Sequence, residues 1–166
     1  TLVRRGVPIR IFKDMSKVDE PRLNGLIEDS FGRTLLPGYL ERAAPEMVLV
    51  AGDYAACAVV RPGPTAPYLD KFAVSAQGQG AGLGASLWNR LATECPRLLW
   101  RSRTDNPIRN WYFGLADGMH RAPNWIVFWT GLEERDEIAQ GIEFALAEPP
   151  SFESPVVTRG EVSIVS

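Results

Sequence analysis

A glycine-rich turn lies near the middle of the chain, where residues 79–84 read QGAGLG. An apolar, strand-like run precedes it and leucines at helical spacing follow it, so the turn is predicted to open an amphipathic helix. Gly82 and Gly84 fall within the first turns of that helix, where each costs roughly 0.5–1 kcal/mol relative to alanine. The first amides of a helix lack partners within it, and the helix dipole favours anions there. The pattern therefore predicts a site for a phosphate group.

Several side chains with hydrogen-bond donors could bind an acidic molecule. They are Arg33, Lys71, Arg101, Arg103 and Asn106. Arg101 and Arg103 are two residues apart in a predicted strand, so they are expected to share a strand face. A guanidinium group binds a carboxylate through two parallel hydrogen bonds, which suits an acidic small molecule. The residues alone leave open the alternative that this is a set of solvated surface cations.

The composition excludes several other classes of site. The chain has 166 residues, a net charge of −2, two cysteines (Cys57 and Cys95) and one histidine, His120. These three side chains do not have the spacing of a zinc cluster, so we expect no metal. The small net charge gives no case for nucleic acid, and no apolar run has the length of a membrane span. Both cysteines are expected to be thiols in a reducing compartment.

The predicted elements alternate irregularly between strands and helices. Strands are predicted at residues 7–12, 47–51, 54–61, 68–74, 98–102 and 124–130, and helices at residues 18–30, 37–43, 81–94, 108–115 and 133–147. Gly52-Asp53 predicts a two-residue hairpin, Ser16 a capping box, and residues 117–120 a turn. The order indicates an α+β or mixed α/β layer rather than a repeated βαβ unit.

The domain organisation is predicted from composition. Residues 1–148 are expected to form one domain, and residues 149–166, which are rich in Pro, Ser and Glu, a tail or partner-docking arm. Residues 1–6 carry no initiator methionine and no hydrophobic signal segment. We therefore expect the chain to be a piece of a longer protein.

The glycine turn, with Val74 before it, resembles the acyl-CoA motif of the GNAT acetyltransferases, Q/R-x-x-G-x-G/A. Other stretches are similar to the acetyltransferase domain of N-acetylglutamate synthases, in the vertebrate-like form that bacterial bifunctional synthase/kinases also carry. These stretches are residues 30–33, 68–72, 100–108, 111–113, 125–129 and 131–132. The resemblance covers residues 7–132 and implies the GNAT fold, a central, mostly antiparallel sheet with a splayed strand, flanked by helices.

The resemblance implies acetyl-CoA as the cosubstrate. Backbone N–H groups of the turn would hold its pyrophosphate, and the preceding strand would hold its pantetheine arm where the sheet splays and leaves amides without partners. The turn would contribute Gln79, Gly80, Gly82, Leu83 and Gly84, and the strand Phe72, Ala73 and Val74.

The resemblance also implies L-glutamate as the acceptor and N-acetyl-L-glutamate as the product. The residues implied in binding it are Lys71, Phe72 through its backbone, Arg101 and Asn106. Arg33 stands where relatives can carry lysine, which keeps the charge but changes the hydrogen-bond geometry. Arg103 would bind the acceptor, hold Arg101 or face solvent, and these alternatives stay open.

The chemistry needs a proton donor for the leaving thiolate. The resemblance implies Tyr112, because a phenol of pKa about 10 can protonate a thiolate of pKa about 8–9 when the fold positions it. From the residues alone, a core aromatic is the alternative. Tyr68 is a candidate to orient a proton-accepting water, and Asp70 is the other candidate, which a period of two places on the face of Tyr68 and Phe72. Neither cysteine has an activating neighbour, which favours direct transfer.

Three functions remain open at this stage. The first is glutamate acetylation in arginine biosynthesis, the second a regulatory module attached to an acetylglutamate kinase, and the third acetylation of a different amine. The joint presence of Lys71, Arg101, Asn106 and Tyr112 favours the first. The resemblance implies an upstream amino-acid-kinase domain on the same parent chain, a homo-oligomer, and a cytoplasmic location in bacteria or a mitochondrial one in eukaryotes.

Overall fold

The computed structural model describes residues 6–154, so predictions for residues 1–5 and 155–166 lie outside the described part. The strands are β1 (Ile9–Phe12), β2 (Met47–Ala51), β3 (Ala56–Arg61), β4 (Tyr68–Val74), β5 (Leu98–Arg103), β6 (Gly118–Arg121) and β7 (Trp125–Thr130). The helices are α1 (Glu20–Phe31), α2 (Tyr39–Ala43), α3 (Ala76–Gly80), α4 (Leu83–Glu94), α5 (Arg109–Leu115) and α6 (Arg135–Ala147). They surround one sheet in the order β1-β2-β3-β4-β5-β7-β6, antiparallel except between β4 and β5.

The sheet carries helices on both faces, which explains why β2 and most of β3 are apolar at every position. On one face, Leu87 and Leu91 of α4 pack with Leu49 of β2. On the other face, α1 and α2 cover the first half of the sheet and α6 covers the second half. The predicted α+β class is confirmed, and within residues 6–154 we find no helix whose length and apolar character would allow it to cross a membrane.

Strands β4 and β5 separate soon after they begin. They pair only at Tyr68 with Leu99 and at Leu69 with Trp100. Beyond Leu69, β4 remains paired with β3, whereas β5 remains paired with β7. The sheet therefore opens into a gap between residues 70–74 and the end of β5, which confirms the predicted splayed strand.

A β-bulge at Asp70 reverses the alternation of side chains in β4. Val59 pairs with Lys71, but Val60 pairs with Leu69, so Asp70 is an extra residue. As a result, Leu69 and Phe72 both face α4. Asp70 contacts Tyr39, which packs on the opposite face. The prediction that Asp70 shares a face with Phe72 is wrong for this reason.

Other local predictions need correction. Ala51 pairs with Ala56, so the β2–β3 hairpin has a four-residue loop, 52–55, in place of the predicted two-residue turn. Residues 118–121 form the edge strand β6 rather than a turn, because they pair with β7. The side chain of Asp19, rather than that of Ser16, accepts a hydrogen bond at the start of α1.

Candidate functional site

The glycine turn follows the end of β4. The helix predicted at residues 81–94 begins at Leu83, and the shorter helix α3 comes before it. Gly82 has a φ of 72°, which explains why glycine is needed there. A Cβ atom on Gly80 or Gly82 would meet nothing within 4 Å, so neither glycine is needed to fit a neighbouring part of the protein. The backbone of the turn is therefore open to a ligand.

The edge of β4 that borders the gap has amides without strand partners. The amide of Ser75 donates to the carbonyl of Ala55, towards β3. Because successive amides point to opposite edges of a strand, the amides of Phe72 and Val74 point towards the gap. The carbonyl of Val74 accepts a hydrogen bond of 3.2 Å from Gln79 Nε2, which ties the turn to the strand. These features fit a long ligand that lies along β4 and ends at the turn.

Tyr112 lies on the α4 face of the sheet, in a cluster of aromatic rings. Its ring centroid is 5.9 Å from that of Trp88, and 5.6 Å from those of Trp100 and Phe128. Burial raises the pKa of the Tyr112 phenol above its ordinary value, so the hydroxyl remains protonated at neutral pH. Within residues 6–154 this hydroxyl makes no hydrogen bond. It is therefore available as a proton donor.

Arg101 and Arg103 lie on the opposite face of the sheet from Tyr112. Their guanidinium carbons lie 3.8 Å and 5.3 Å from the ring centroid of Trp125, which confirms the shared face. Arg103 also forms a long ion pair of 3.8 Å with Asp105. Burial, and then the charge of Arg103, lower the pKa of Arg33. Arg33 and Arg103 are therefore close enough for their charges to interact.

Lys71 is buried on this same face. Its ammonium donates to the carbonyl oxygen of Asp70 at 3.1 Å, to the Asp70 carboxylate at 3.2 Å, and to the hydroxyl oxygen of Ser151 at 3.0 Å. Burial lowers the pKa of Lys71, and the neighbouring Asp70 carboxylate opposes that shift. The ammonium group of Lys71 is therefore withdrawn from water and fixed by hydrogen bonds beside the gap.

Asp70 is engaged by three donors. Its carboxylate accepts hydrogen bonds from the Tyr39 hydroxyl and Lys71, and at 3.2 Å from Arg61 Nη1. Burial opposes ionisation of Asp70, but Lys71, Tyr39 and Arg61 together hold its pKa below the ordinary value. A carboxylate stabilised in this way is a poor proton acceptor. Sequence reasoning missed Arg61 and its second partner, Glu148, at 2.6 Å, because nothing local marks them.

Tyr68 lies on the cation face, and not beside Tyr112. Its ring packs edge-on against Phe144 of α6, with a centroid distance of 5.2 Å. Burial raises the pKa of Tyr68, and the charge of Arg101 acts in the opposite direction. At neutral pH the side chain is a phenol that can hold a water molecule but cannot itself act as a base.

Asn106 lies at the turn between β5 and α5. Its side-chain oxygen accepts a hydrogen bond of 3.1 Å from the amide of Ile108, so this oxygen fixes the turn. The side-chain NH₂ group makes no hydrogen bond within the described range of the chain. Asn106 can therefore offer that group to a ligand while its oxygen holds the backbone.

The cysteines offer no nucleophile. Burial raises the pKa of Cys57 to about 12 and that of Cys95 to about 11. Both thiols are therefore protonated at neutral pH. Among residues 6–154, no three His, Cys, Asp or Glu side chains are placed to hold a metal ion.

A wide surface depression lies away from the gap. It has a volume of about 580 Å³ and is lined by Ile11, Phe12, Lys13, Asp14, Lys17 and Glu94. Glu94 is the last residue of α4, so the depression adjoins the end of that helix opposite the glycine turn. Because none of the predicted site residues lines it, the gap between β4 and β5 is the candidate site.

Comparison with known proteins supports the resemblance found in the sequence. Residues 10–146 match the protein family described as the N-acetyltransferase of N-acetylglutamate synthase. A relative from Danio rerio, named N-acetylglutamate synthase, mitochondrial, is 39% identical, with 92% of this chain and 30% of that protein covered. One from Xylella fastidiosa (strain 9a5c), named acetylglutamate kinase, is 38% identical, with 92% and 36% covered. The chain thus spans about a third of the length of these relatives.

Solved structures share the fold at low sequence identity. N-acetylglutamate synthase from Neisseria gonorrhoeae, complexed with coenzyme A and N-acetyl-glutamate, has a TM-score of 0.55 at 18% identity, covering 77% of this chain and 36% of that one. The ribosomal-protein-S18-alanine N-acetyltransferase from Escherichia coli has a TM-score of 0.58 at 16% identity, covering 78% and 98%. The predicted GNAT fold is confirmed.

Proposed function

The chain belongs to the family of N-acetyltransferase domains of N-acetylglutamate synthase, and we propose that it transfers the acetyl group of acetyl-CoA to the α-amino group of L-glutamate. One observation carries the proposal. The gap between β4 and β5 has the glycine turn and Tyr112 on the α4 face, and Lys71 and Arg101 on the α6 face. Two substrates can therefore approach one opening from opposite faces and lie next to each other within it, and a direct transfer requires this proximity.

The coenzyme would lie on the side of the turn. The unpaired amides of Phe72 and Val74 would bind the pantetheine arm as a further strand would bind. The first amides of α4, which follow Gly82, would bind the diphosphate, where the helix dipole favours negative charge. Ala73 contributes through the backbone that links these two amides.

The acceptor would lie on the side of the cations. Arg33, Lys71 and Arg101 are partly or fully withdrawn from water, and the ion pairs within the described residues supply a carboxylate only to Lys71. Removing a cation from water is costly unless a negative charge lies nearby. A molecule with two carboxylates would supply that charge. This supports glutamate over a neutral amino acid or an uncharged peptide end.

The transfer would proceed without a covalent enzyme intermediate. The neutral α-amine attacks the thioester carbonyl, the C–N bond forms, and the C–S bond breaks as coenzyme A leaves as a thiolate. Burial keeps the Tyr112 phenol protonated before the reaction. Tyr112 then gives its proton to the sulfur, and the tyrosinate is reprotonated from water, which has taken up the proton of the amine. We assign to Tyr68 the orientation of the water that accepts the amine's proton, since Asp70 is held as a stabilised anion.

A second candidate function is a module that regulates an attached kinase. It is favoured by the Xylella fastidiosa relative, which is named acetylglutamate kinase and of which this chain covers 36%. In that case the chain would bind acetyl-CoA or glutamate without transfer. The kinase domain would be on the same parent chain, and a homo-oligomer would be the assembled form.

An acceptor panel tests the proposal. Release of free coenzyme A from acetyl-CoA is measured with L-glutamate, L-glutamine, L-aspartate and a short peptide with a free N-terminus. Glutamate alone should support turnover, because only it has two carboxylates at the expected spacing. Turnover with the peptide but not with glutamate would overturn the assignment, and binding of both substrates without turnover would support the regulatory module.

A further inference from the structure

The segment that follows α6 docks beside the cations. The amide of Leu36 donates to the carbonyl of Ser151 at 2.8 Å, and the amide of Glu153 donates to the carbonyl of Thr34 at 2.7 Å. These bonds flank an isolated antiparallel bridge between Leu35 and Phe152. Residues 151–153 are thereby fixed as a short extended stretch against the loop after α1.

Each cation assigned to the acceptor contacts this part of the chain. Arg101 Nη1 donates to the carbonyl of Ala145 at 2.8 Å and to that of Glu148 at 3.1 Å. Lys71 donates to Ser151 Oγ at 3.0 Å. Arg33 Nη2 donates to the carbonyl of Glu153 at 3.0 Å. The end of α6 and residues 151–153 therefore form one side of the cation cluster.

These contacts leave most of the guanidinium donors of Arg33 and Arg101 available, whereas Asp70 and Ser151 together engage all three N–H groups of the Lys71 ammonium. Arg33 and Arg101 are each held through one nitrogen, and within residues 6–154 their other nitrogens make no hydrogen bond. The carbonyl partners of Arg33 and Arg101 carry no charge, so the positive charge of each guanidinium is left to attract a carboxylate. Ser151 Oγ accepts from Lys71, so its own hydrogen is free to donate. The segment orients the cations without neutralising them.

Phe152 sets the spacing of two of the cations. The guanidinium carbon of Arg33 and the ammonium nitrogen of Lys71 each lie 5.2 Å from its ring centroid. The two charges are therefore no more than about 10 Å apart. One acidic acceptor can therefore lie within reach of both charges. The ring is itself held by Phe31, at a centroid distance of 5.2 Å.

We propose that residues 151–153 form the outer wall of the acceptor site, where Ser151 donates its hydroxyl hydrogen to a carboxylate of the acceptor and Phe152 positions Arg33 and Lys71. This rests on the proposed function. Ser151 is a binding residue, and Phe152 is a positioning residue that acts through the two cations. The segment thus belongs to the specificity machinery of the enzyme.

The test compares variants of the full 166-residue chain. The variants are Ser151→Ala, Phe152→Ala, Phe152→Tyr and the control Phe12→Ala, measured for kcat, the KM of glutamate, the KM of acetyl-CoA and Tm. Phe12 is a matched control because it too is half-buried, packs on the same hydrophobic cluster and lies under an arginine, Arg10.

The wall predicts a specific pattern. Ser151→Ala and Phe152→Ala should each raise the KM of glutamate by about tenfold, the effect of one lost charge-linked contact. The kcat and the KM of acetyl-CoA should change little. Phe152→Tyr keeps the ring and should retain the wild-type KM. Phe12→Ala should lower Tm about as much as Phe152→Ala does, without a change in the KM of glutamate.

Two outcomes overturn the proposal. A lower KM of glutamate in Phe152→Ala would mean that the segment obstructs the site, and a KM shift no larger than that of Phe12→Ala would mean that the segment only stabilises the fold. Calorimetric titration of L-glutamate into the same proteins provides an independent readout. If the wild-type chain binds glutamate but transfers no acetyl group, the proposed function fails while the titration still tests the wall.

Discussion

Leu69 and Trp100 form the last residue pair between β4 and β5, and the gap begins directly after them. The side chain of Trp100 lies on the α4 face, 5.6 Å from the ring of Tyr112. The next residue along β5, Arg101, points to the other face and stacks on Trp125. Because successive residues of a strand point to opposite faces, Trp100 lies beside the proposed proton donor, Tyr112, and Arg101 lies on the face of the proposed acceptor site.

The role of Tyr112 predicts a loss confined to turnover. Tyr112→Phe keeps the ring in its aromatic cluster and removes the hydroxyl, so kcat should fall by roughly 10²–10⁴-fold, with a small change in the KM of glutamate.

Since burial raises the pKa of Tyr112, the acid stays protonated beyond pH 7. The alkaline limb of the wild-type pH profile should therefore lie above the ordinary phenol pKa of about 10.

Tyr54→Phe is the matched control. The Tyr54 hydroxyl accepts a hydrogen bond of 2.8 Å from the amide of Asp19, which has no role at the gap. Loss of this hydrogen bond should lower the free energy of unfolding by roughly 0.5–1.5 kcal/mol and leave kcat unchanged. If Tyr112→Phe behaves like this control in steady-state assays, another group protonates the thiolate.

Arg101 predicts a defect in acceptor binding. Arg101→Ala removes charge-assisted bonds worth about 1.5–3 kcal/mol, so the KM of glutamate should rise by about 10- to 100-fold. The melting temperature should also drop, because Arg101 Nη1 no longer satisfies the carbonyls of Ala145 and Glu148. The KM of acetyl-CoA should stay near the wild-type value.

Arg97→Ala is the control that separates the loss of acceptor binding from the loss of contacts with α6. Arg97 precedes β5 and also contacts α6, through an exposed ion pair with Glu137, but it lies away from the gap. Exposed pairs contribute little, so this variant should keep both KM values. If the KM of glutamate is equal in Arg97→Ala and Arg101→Ala, then Arg101 does not bind the acceptor.

The elements whose information is local were predictable from sequence. β4 is predictable at Tyr68–Val74 because its apolar run is bounded by turns, and the glycine turn is predictable because Gly80, Gly82 and Gly84 fall close together in the sequence. The bulge at Asp70 has no such signal. It is stabilised by Tyr39 and Arg61, which are 31 and 9 residues away along the chain.

The acceptor wall escaped prediction for a related reason. Residues 149–153 are rich in Pro and Ser, a composition that predicts an arm. Their docking depends on main-chain bonds to Thr34 and Leu36, which any sequence could supply. Cations such as Lys71 were identified by residue type, but their buried partners were not, because side chains distant in sequence meet only in the fold.

Gly82 predicts separate effects on folding and on coenzyme binding. Gly82→Ala places a Cβ at a φ of 72°, which costs about 1–2 kcal/mol. The same atom would enter the open space above the turn, so the KM of acetyl-CoA should also rise severalfold. Gly38→Ala is the control, because Gly38 has a φ of 71° and only an arginine side-chain atom, at 3.6 Å, near its Cβ position. A similar KM of acetyl-CoA in both variants would contradict a diphosphate site at the turn.

Asp70 predicts the pH dependence of stability. Its pKa in the folded chain is held below the ordinary value, against the effect of burial, by Lys71, Tyr39 and Arg61. A carboxyl with a depressed folded pKa contributes stability above its unfolded pKa of about 3.9. That contribution is lost as the pH falls through the folded pKa. Urea unfolding of the wild type should therefore show a loss of stability below about pH 4.

Asp70→Asn should remove this part of the pH dependence. At pH 7 the variant leaves the buried Lys71 without its ion-pair partner, so its free energy of unfolding should be lower by on the order of 3 kcal/mol. Between about pH 4 and pH 2 its stability should fall less steeply than that of the wild type, because the introduced amide cannot titrate. Asp53→Asn breaks an exposed pair with Arg22 and should change stability little at any pH. Parallel curves for the wild type and Asp70→Asn would mean that the Asp70 carboxylate is not held as an anion in the fold.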